Sequence, residues 1–238
     1  MFEKGLVKLG IPAKLLITVF LCVMGLGYIF AIFTIYISHE NADAKPGLSM
    51  NDIVITYYGN REGTAMEDKS LGSMATYFSS DGDKNAVIEW IRAGAEVASY
   101  DETVAPILKK SCTMCHSKDG TESGSPLTAY DEVMKYVTVS TGVSPGRLGT
   151  LSHTHLISHG VMFFLLSLVF IATTVGDRWK ILLVLMAYAG IVIDVFSWWL
   201  AKTAAAFAYF SVIGGALLGI AFLFFFFVPL WEMWVKKK

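Results

Sequence analysis

The chain has 238 residues, 54% of them hydrophobic and only 16% charged, with a mean hydropathy of +0.54. Soluble domains carry about 25% charged residues, so an ordinary soluble fold and a disordered chain are both excluded. The net charge of −1 arises from 19 basic and 20 acidic residues. No Lys/Arg cluster stands beyond the last three positions, which leaves nucleic-acid binding without an electrostatic footprint.

The first element predicted is a membrane helix over residues 15–38, which contain no charge. A bilayer core needs roughly 20 helical residues. Basic residues precede this stretch, and Ala42-Asp43-Ala44 has the small-residue character of a signal cleavage site. The apolar run is too long for a signal-peptide core, however, and reads as an uncleaved signal anchor. Three more apolar blocks, residues 156–176, 181–201 and 205–231, predict three further spans. The expected architecture is all-α: an anchor over residues 1–38, an outward α-helical domain over 39–150, and a three-helix transmembrane bundle over 151–238.

Lys and Arg near the span ends set orientation. Lys4, Lys8 and Lys14 precede helix 1, Arg178 and Lys180 lie between helices 2 and 3, and Lys236, Lys237 and Lys238 follow helix 4. With four spans all three groups fall on one face, which is expected to be cytoplasmic, as are both termini. The intervening segment, residues 39–158, holds 16 acidic and 10 basic residues, and the remainder carries +5. An acidic domain on the periplasmic side of a bacterial inner membrane follows. Trp198, Trp199 and Tyr209 lie near the outer span ends, as interfacial aromatics do.

Within that domain the strongest chemical signal is Cys112-Thr113-Met114-Cys115-His116. Two thiols three apart can add to the vinyl groups of one haem, and the adjoining His can ligate its iron. A redox disulfide and half of a zinc site are the competing readings. The only other cysteine, Cys22, is inside helix 1, so no second pair completes a zinc site.

These residues resemble the c-type cytochromes. The run from Tyr100 to Leu108 leading into Cys112 looks like the first helix of a class I cytochrome c domain. The resemblance implies a Met ligand, followed at an interval by an aromatic residue of a closing helix. Downstream, only Met134 precedes the membrane, 18 residues after His116 and inside a predicted helix over 127–136, too close for the family pattern. Upstream, Met74 precedes Trp90 by 16 residues, and Asp83 can cap a helix whose Val87, Trp90 and Ile91 form an apolar stripe. The resemblance therefore implies a permuted domain over residues 51–137. One covalent haem c is expected on Cys112, Cys115 and His116, with Met74 the sixth ligand and His153 or another membrane-proximal His its rival. Met50, Met66 and Met134 are read as packing residues.

His153, His155 and His159 gather at the outer end of helix 2. A copper or zinc ion, a second haem of the b type, a quinone pocket and simple half-solvation all remain open for them. Asp194 lies eight residues before Lys202, hence roughly 12 Å along helix 3 from its outer end. An ionisable group at that depth marks a functional site by default. His159 and Asp194 can face one another across antiparallel helices, as proton acceptors for quinol oxidation. Gly215 and Gly219 carry the small-xxx-small pattern of close helix packing.

The functional expectation is an electron-transfer subunit of a respiratory-type redox complex, a redox subunit rather than an enzyme acting alone. It would join other membrane subunits, a periplasmic electron carrier and the lipid bilayer, and oxidise quinol in its stronger variant. A non-catalytic anchoring or assembly subunit and a haem-based sensor are the alternatives.

Overall fold

A computed structural model describes residues 5–40, 42–43 and 45–236. Lys4, Ala44, Lys237 and Lys238, used above for orientation and the cleavage pattern, lie outside the described residues. The chain divides into two units, Met1–Ile35 with Ser144–Lys238, and Tyr36–Val143. The described residues are mostly helical, and their β-type pairing is one isolated bridge between Thr64 and Val139.

Among the described residues four helices are long and apolar enough to cross a membrane: α1 (Ile11–His39), α8 (Pro145–Ile171), α9 (Asp177–Leu200), and α10 (Ala208–Trp234) with the 3-10 turn Ala205–Phe207 before it. A helix is the form in which an isolated segment satisfies its own backbone polar groups in lipid. Helix α8 begins about three turns before the apolar block predicted from sequence. Ser144 accepts a hydrogen bond from the Arg147 N–H at 3.3 Å and Pro145 occupies the first turn, so a strong N-cap carries the helix through its polar residues.

The first unit packs Leu21, Phe163, Leu166, Phe170, Leu183, Ala187, Ile191, Leu218, Phe222 and Phe225 into one core. The phenylalanine run of α10 divides by helical phase. Phe225 lies between Phe163 and Phe170, and Phe222 stacks on Tyr28 of α1 at 4.1 Å, whereas Phe224 and Phe227 are exposed. The close approach of α9 and α10 uses Gly190 and Gly214; of the small-xxx-small pair, Gly219 lies against Tyr28 of α1, where a Cβ would be 3.3 Å from the hydroxyl. A Cβ on Gly214 would sit 2.6 Å from the Asp194 nitrogen, one on Gly190 3.1 Å from the Gly214 oxygen, and one on Gly215 would meet nothing within 4 Å. Gly214→Ala is therefore expected to cost about 1–3 kcal/mol by forcing two backbones apart. Gly215→Ala should stay within about 0.5 kcal/mol, both read from unfolding in mixed detergent micelles.

One end of this unit is pinned. Buried Glu232 accepts hydrogen bonds from the Leu6 N–H, the Thr174 N–H and the Thr174 hydroxyl, each at 2.7 Å. Lys14 donates to the Met233 carbonyl, and its ammonium lies 5.6 Å from the Trp234 ring centroid. The start of α1, the α8–α9 turn and the end of α10 thus meet at the end that carries Lys8, Lys14, Arg178, Lys180 and Lys236.

The second unit holds α2 (Met50–Tyr57), α3 (Ala65–Leu71), α4 (Asp81–Arg92), α5 (Val97–Ser99), a π-helical segment (Tyr100–Val104), α6 (Ala105–Ser111) and α7 (Tyr130–Met134). The helix predicted over 127–136 is this last, shorter one. The cap of α4 is Ser80, whose hydroxyl accepts from the Asp83 N–H at 3.1 Å. Asp83 sits in the first turn and pairs instead with Lys110 at 3.3 Å. Residues 97–111 run antiparallel to α4, with Asp83–Lys110 at one end and Trp90–Tyr100, 5.7 Å between rings, at the other. Gly94 and Ala95, both at positive φ, make the reversal. Val87, Trp90, Ile91, Tyr100, Val104, Leu108 and Val133 form the core between them. Met66 and Met134 pack in this core, as expected of them.

Before α2, Ser49 and Asp52 form a capping box, and Asp52 is fully buried. Burial alone would raise the Asp52 carboxyl, but hydrogen bonds from the N–H groups of Asp43 at 2.8 Å and Ser49 at 2.6 Å, with the Ser49 hydroxyl, outweigh it and hold it below the ordinary range. Its contribution to stability is complete above the unfolded pKa near 3.9 and is lost as pH falls through the lower folded value. Acid titration of helicity should show this loss below about pH 4, and Asp52→Asn should remove that part of the pH dependence.

Candidate functional site

The Cys112–His116 segment follows directly from α6. The N–H groups of Cys115 and His116 both bond to the Cys112 carbonyl, at 3.1 and 2.9 Å, so the motif folds as a turn that brings the two thiols to neighbouring positions. Both are free and half-buried. Burial first, and Cys115 second, push the Cys112 thiol above its ordinary value. Reactive Cys-x-x-Cys disulfide pairs instead rely on a lowered thiol pKa.

The His116 ring is oriented by its own loop. Its Nδ1 lies 2.9 Å from the Ser125 carbonyl oxygen. A carbonyl can only accept, so Nδ1 carries the proton and Nε2 keeps the lone pair that a metal requires. The loop is tied back by Glu122 N–H to Cys115 O and Leu127 N–H to His116 O, both 2.9 Å. Gly120 permits this path, since a Cβ there would lie 2.1 Å from the Cys115 oxygen. Phe78, Ile107, Leu108 and Leu127 share the apolar cluster that includes Cys112. Two free thiols in one turn, an imidazole with a fixed tautomer and apolar neighbours fit a covalently attached haem.

Met74 is partly exposed and precedes the 3-10 turn Ala75–Tyr77. Two residues beyond that turn, Ser79 and Ser111 approach at 3.2 Å between hydroxyls. The Met74 segment is therefore tied to the residue before Cys112, and five residues of chain span at most about 17 Å. The sequence reading missed Ser125. Its one signal was the Pro at 126, which biases Ser125 toward an extended backbone that leaves its carbonyl outside any helix.

The second candidate is a polar layer inside the first unit. Along α8, Leu148, Ser152, His155, His159 and Phe163 recur at the spacing of one helix face. The His155 and His159 rings meet edge to face at 4.9 Å, and His155 meets Trp198 of α9 at 5.0 Å. Trp198 donates Nε1–H to Asp194 Oδ1 at 3.2 Å, and Trp199 donates to Ser152 at 2.9 Å. His159 and Asp194 are linked through the His155 ring and the Trp198 N–H. The three-histidine metal reading is corrected outright. His153 lies two residues from His155, about 200° around the helix, and is exposed. Among the described residues no group of three or more His, Cys, Asp or Glu side chains converges as a metal site would.

Residues 136–238 match a family model described as a transmembrane helical domain. The match covers α8, α9 and α10 and leaves the Cys112–His116 motif outside it. Comparison with curated proteins and with solved structures finds no match.

Proposed function

We propose that this protein is a membrane-anchored monohaem c-type cytochrome that transfers electrons as a subunit of a respiratory-type redox complex. The observation that carries this reading is the bond from His116 Nδ1–H to the Ser125 carbonyl beside two free thiols, which leaves the Nε2 lone pair available to a metal. Cys112 and Cys115 would hold the haem through thioethers, and His116 and Met74 would supply its ligands. When bound, haem c supplies one-electron exchange between ferric and ferrous iron. The chain's own part is to supply apolar neighbours in Phe78 and Leu127, fix the His116 ring and close the loop over 117–127.

The reading places the second unit on the periplasmic side of the inner membrane, supported by the basic residues gathered at the pinned end of the spans. Its partners are other membrane subunits and a periplasmic carrier. A pyridine haemochrome spectrum with metal analysis of the purified full chain tests the proposal. One haem c per chain that resists acid-acetone extraction is expected, and a chain without covalent haem overturns it.

A further inference from the structure

We propose that the layer of His155, His159, Trp198 and Asp194 is a hydroquinone-binding site open to the lipid, in which Asp194 and the histidine pair take the two substrate protons. The inference rests on the cytochrome reading only for the destination of the electrons. Its own support is the placement of the groups. On the α8 face that buries Leu148, Phe163, Leu166 and Phe170, two consecutive positions are occupied by imidazoles. Both Nδ1 atoms are buried and have no hydrogen-bond partner among the described residues. An unpaired buried polar atom costs about 1–3 kcal/mol, and two adjacent ones on a packing face are retained where something uses them.

The surroundings restrict what that is. Trp198 lies between the pair and the carboxylate, touching His155 with its ring and Asp194 with its N–H. Phe163 closes the inner side against His159 at 6.5 Å. Donors and acceptors thus flank aromatic walls. This suits a flat, apolar ring with a hydroxyl at each end, arriving through lipid, and it does not suit a metal ion, for which no ligand group converges. The Gly214 backbone packs directly behind the backbone and Cβ of Asp194, so α10 closes that side of the layer.

A hydroquinone loses two O–H protons and two electrons and leaves as the quinone. One proton goes to an Asp194 carboxylate oxygen and the other to an unprotonated ring nitrogen of the His155–His159 pair. The two electrons would go one at a time to the single haem proposed for this chain, with the periplasmic carrier taking up the first before the second is passed. Trp198 is a positioning residue, because its N–H orients Asp194 without touching a transferred proton.

The test uses the purified full chain in lipid nanodiscs with an azido-benzoquinone photolabel and a short-chain benzoquinol as reductant. Label is expected on α8 and α9 around His155 and Trp198. Asp194→Asn, which keeps the shape and the Trp198 bond, should slow quinol-driven haem reduction about 100-fold while dithionite reduction and haem content stay unchanged. Trp198→Phe, which keeps an aromatic wall but removes the N–H to Asp194, should lower kcat more than it raises KM, and His153→Ala should alter nothing. Label elsewhere, or an unimpaired Asp194→Asn protein that carries haem c, overturns the quinol site and leaves the cytochrome reading standing. Label at His155 in a chain without haem c supports the site and overturns the cytochrome reading instead.

Discussion

Cys115→Ala is expected to reduce covalently attached haem sharply, and the double replacement of Cys112 and Cys115 should bring it to background, as read by haem staining of denaturing gels. The reason is geometric. The Cys115 and His116 N–H groups share the Cys112 carbonyl as acceptor, so the two sulfur atoms and the imidazole are set by one turn of chain. Alanine leaves that turn intact, and loss of haem then reports lost bonds rather than lost fold. In the same series Met74→Leu should retain covalent haem and lower the reduction potential, because a thioether on the iron raises it. A Met74→Leu protein with unchanged potential would assign the sixth position to another residue. Cys115→Ala with undiminished covalent haem would overturn the attachment itself.

Glu232→Ala carries the largest expected effect on stability, a loss of about 3–5 kcal/mol. Its carboxylate receives two backbone N–H groups and a hydroxyl, and it is 1% exposed. Alanine leaves the buried Leu6 N–H without an acceptor and removes the tie from the exposed Thr174 to the end of α10. For a chain of this size the loss corresponds to about 10 °C in Tm. Glu232→Gln separates charge from shape. An amide offers one acceptor oxygen where donors approach both, so it should recover only part of the loss. Thermal unfolding in detergent measures both variants, and an unshifted midpoint in Glu232→Ala would remove the carboxylate from its role as the clasp.

The membrane part of this fold was legible because hydropathy is a local property. A charge-free run long enough for the bilayer predicts a helix whatever its neighbours are. The helix ends were less legible, since caps decide them: Ser144 and Pro145 extend α8 well beyond its apolar block, and Ser80 takes the role expected of Asp83. In the candidate site, Cys112, Cys115 and His116 were legible because the proposed attachment uses residues adjacent in sequence. Ser125 was not, because nine intervening residues must fold back before its carbonyl meets His116.

By itself the sequence determined that the chain spans a membrane, that its described structure is helical, and that one segment carries the thiol–thiol–imidazole pattern. Each of these rests on composition or on spacing within a few residues. Only the tertiary structure decided which glycine lets α9 and α10 touch, which of three histidines meet, and that Asp194 answers to Trp198. Those outcomes depend on the rotation of one helix against another. A shift of one residue turns a side chain by about 100°, enough to move Gly215 off the packing face and put Gly214 on it.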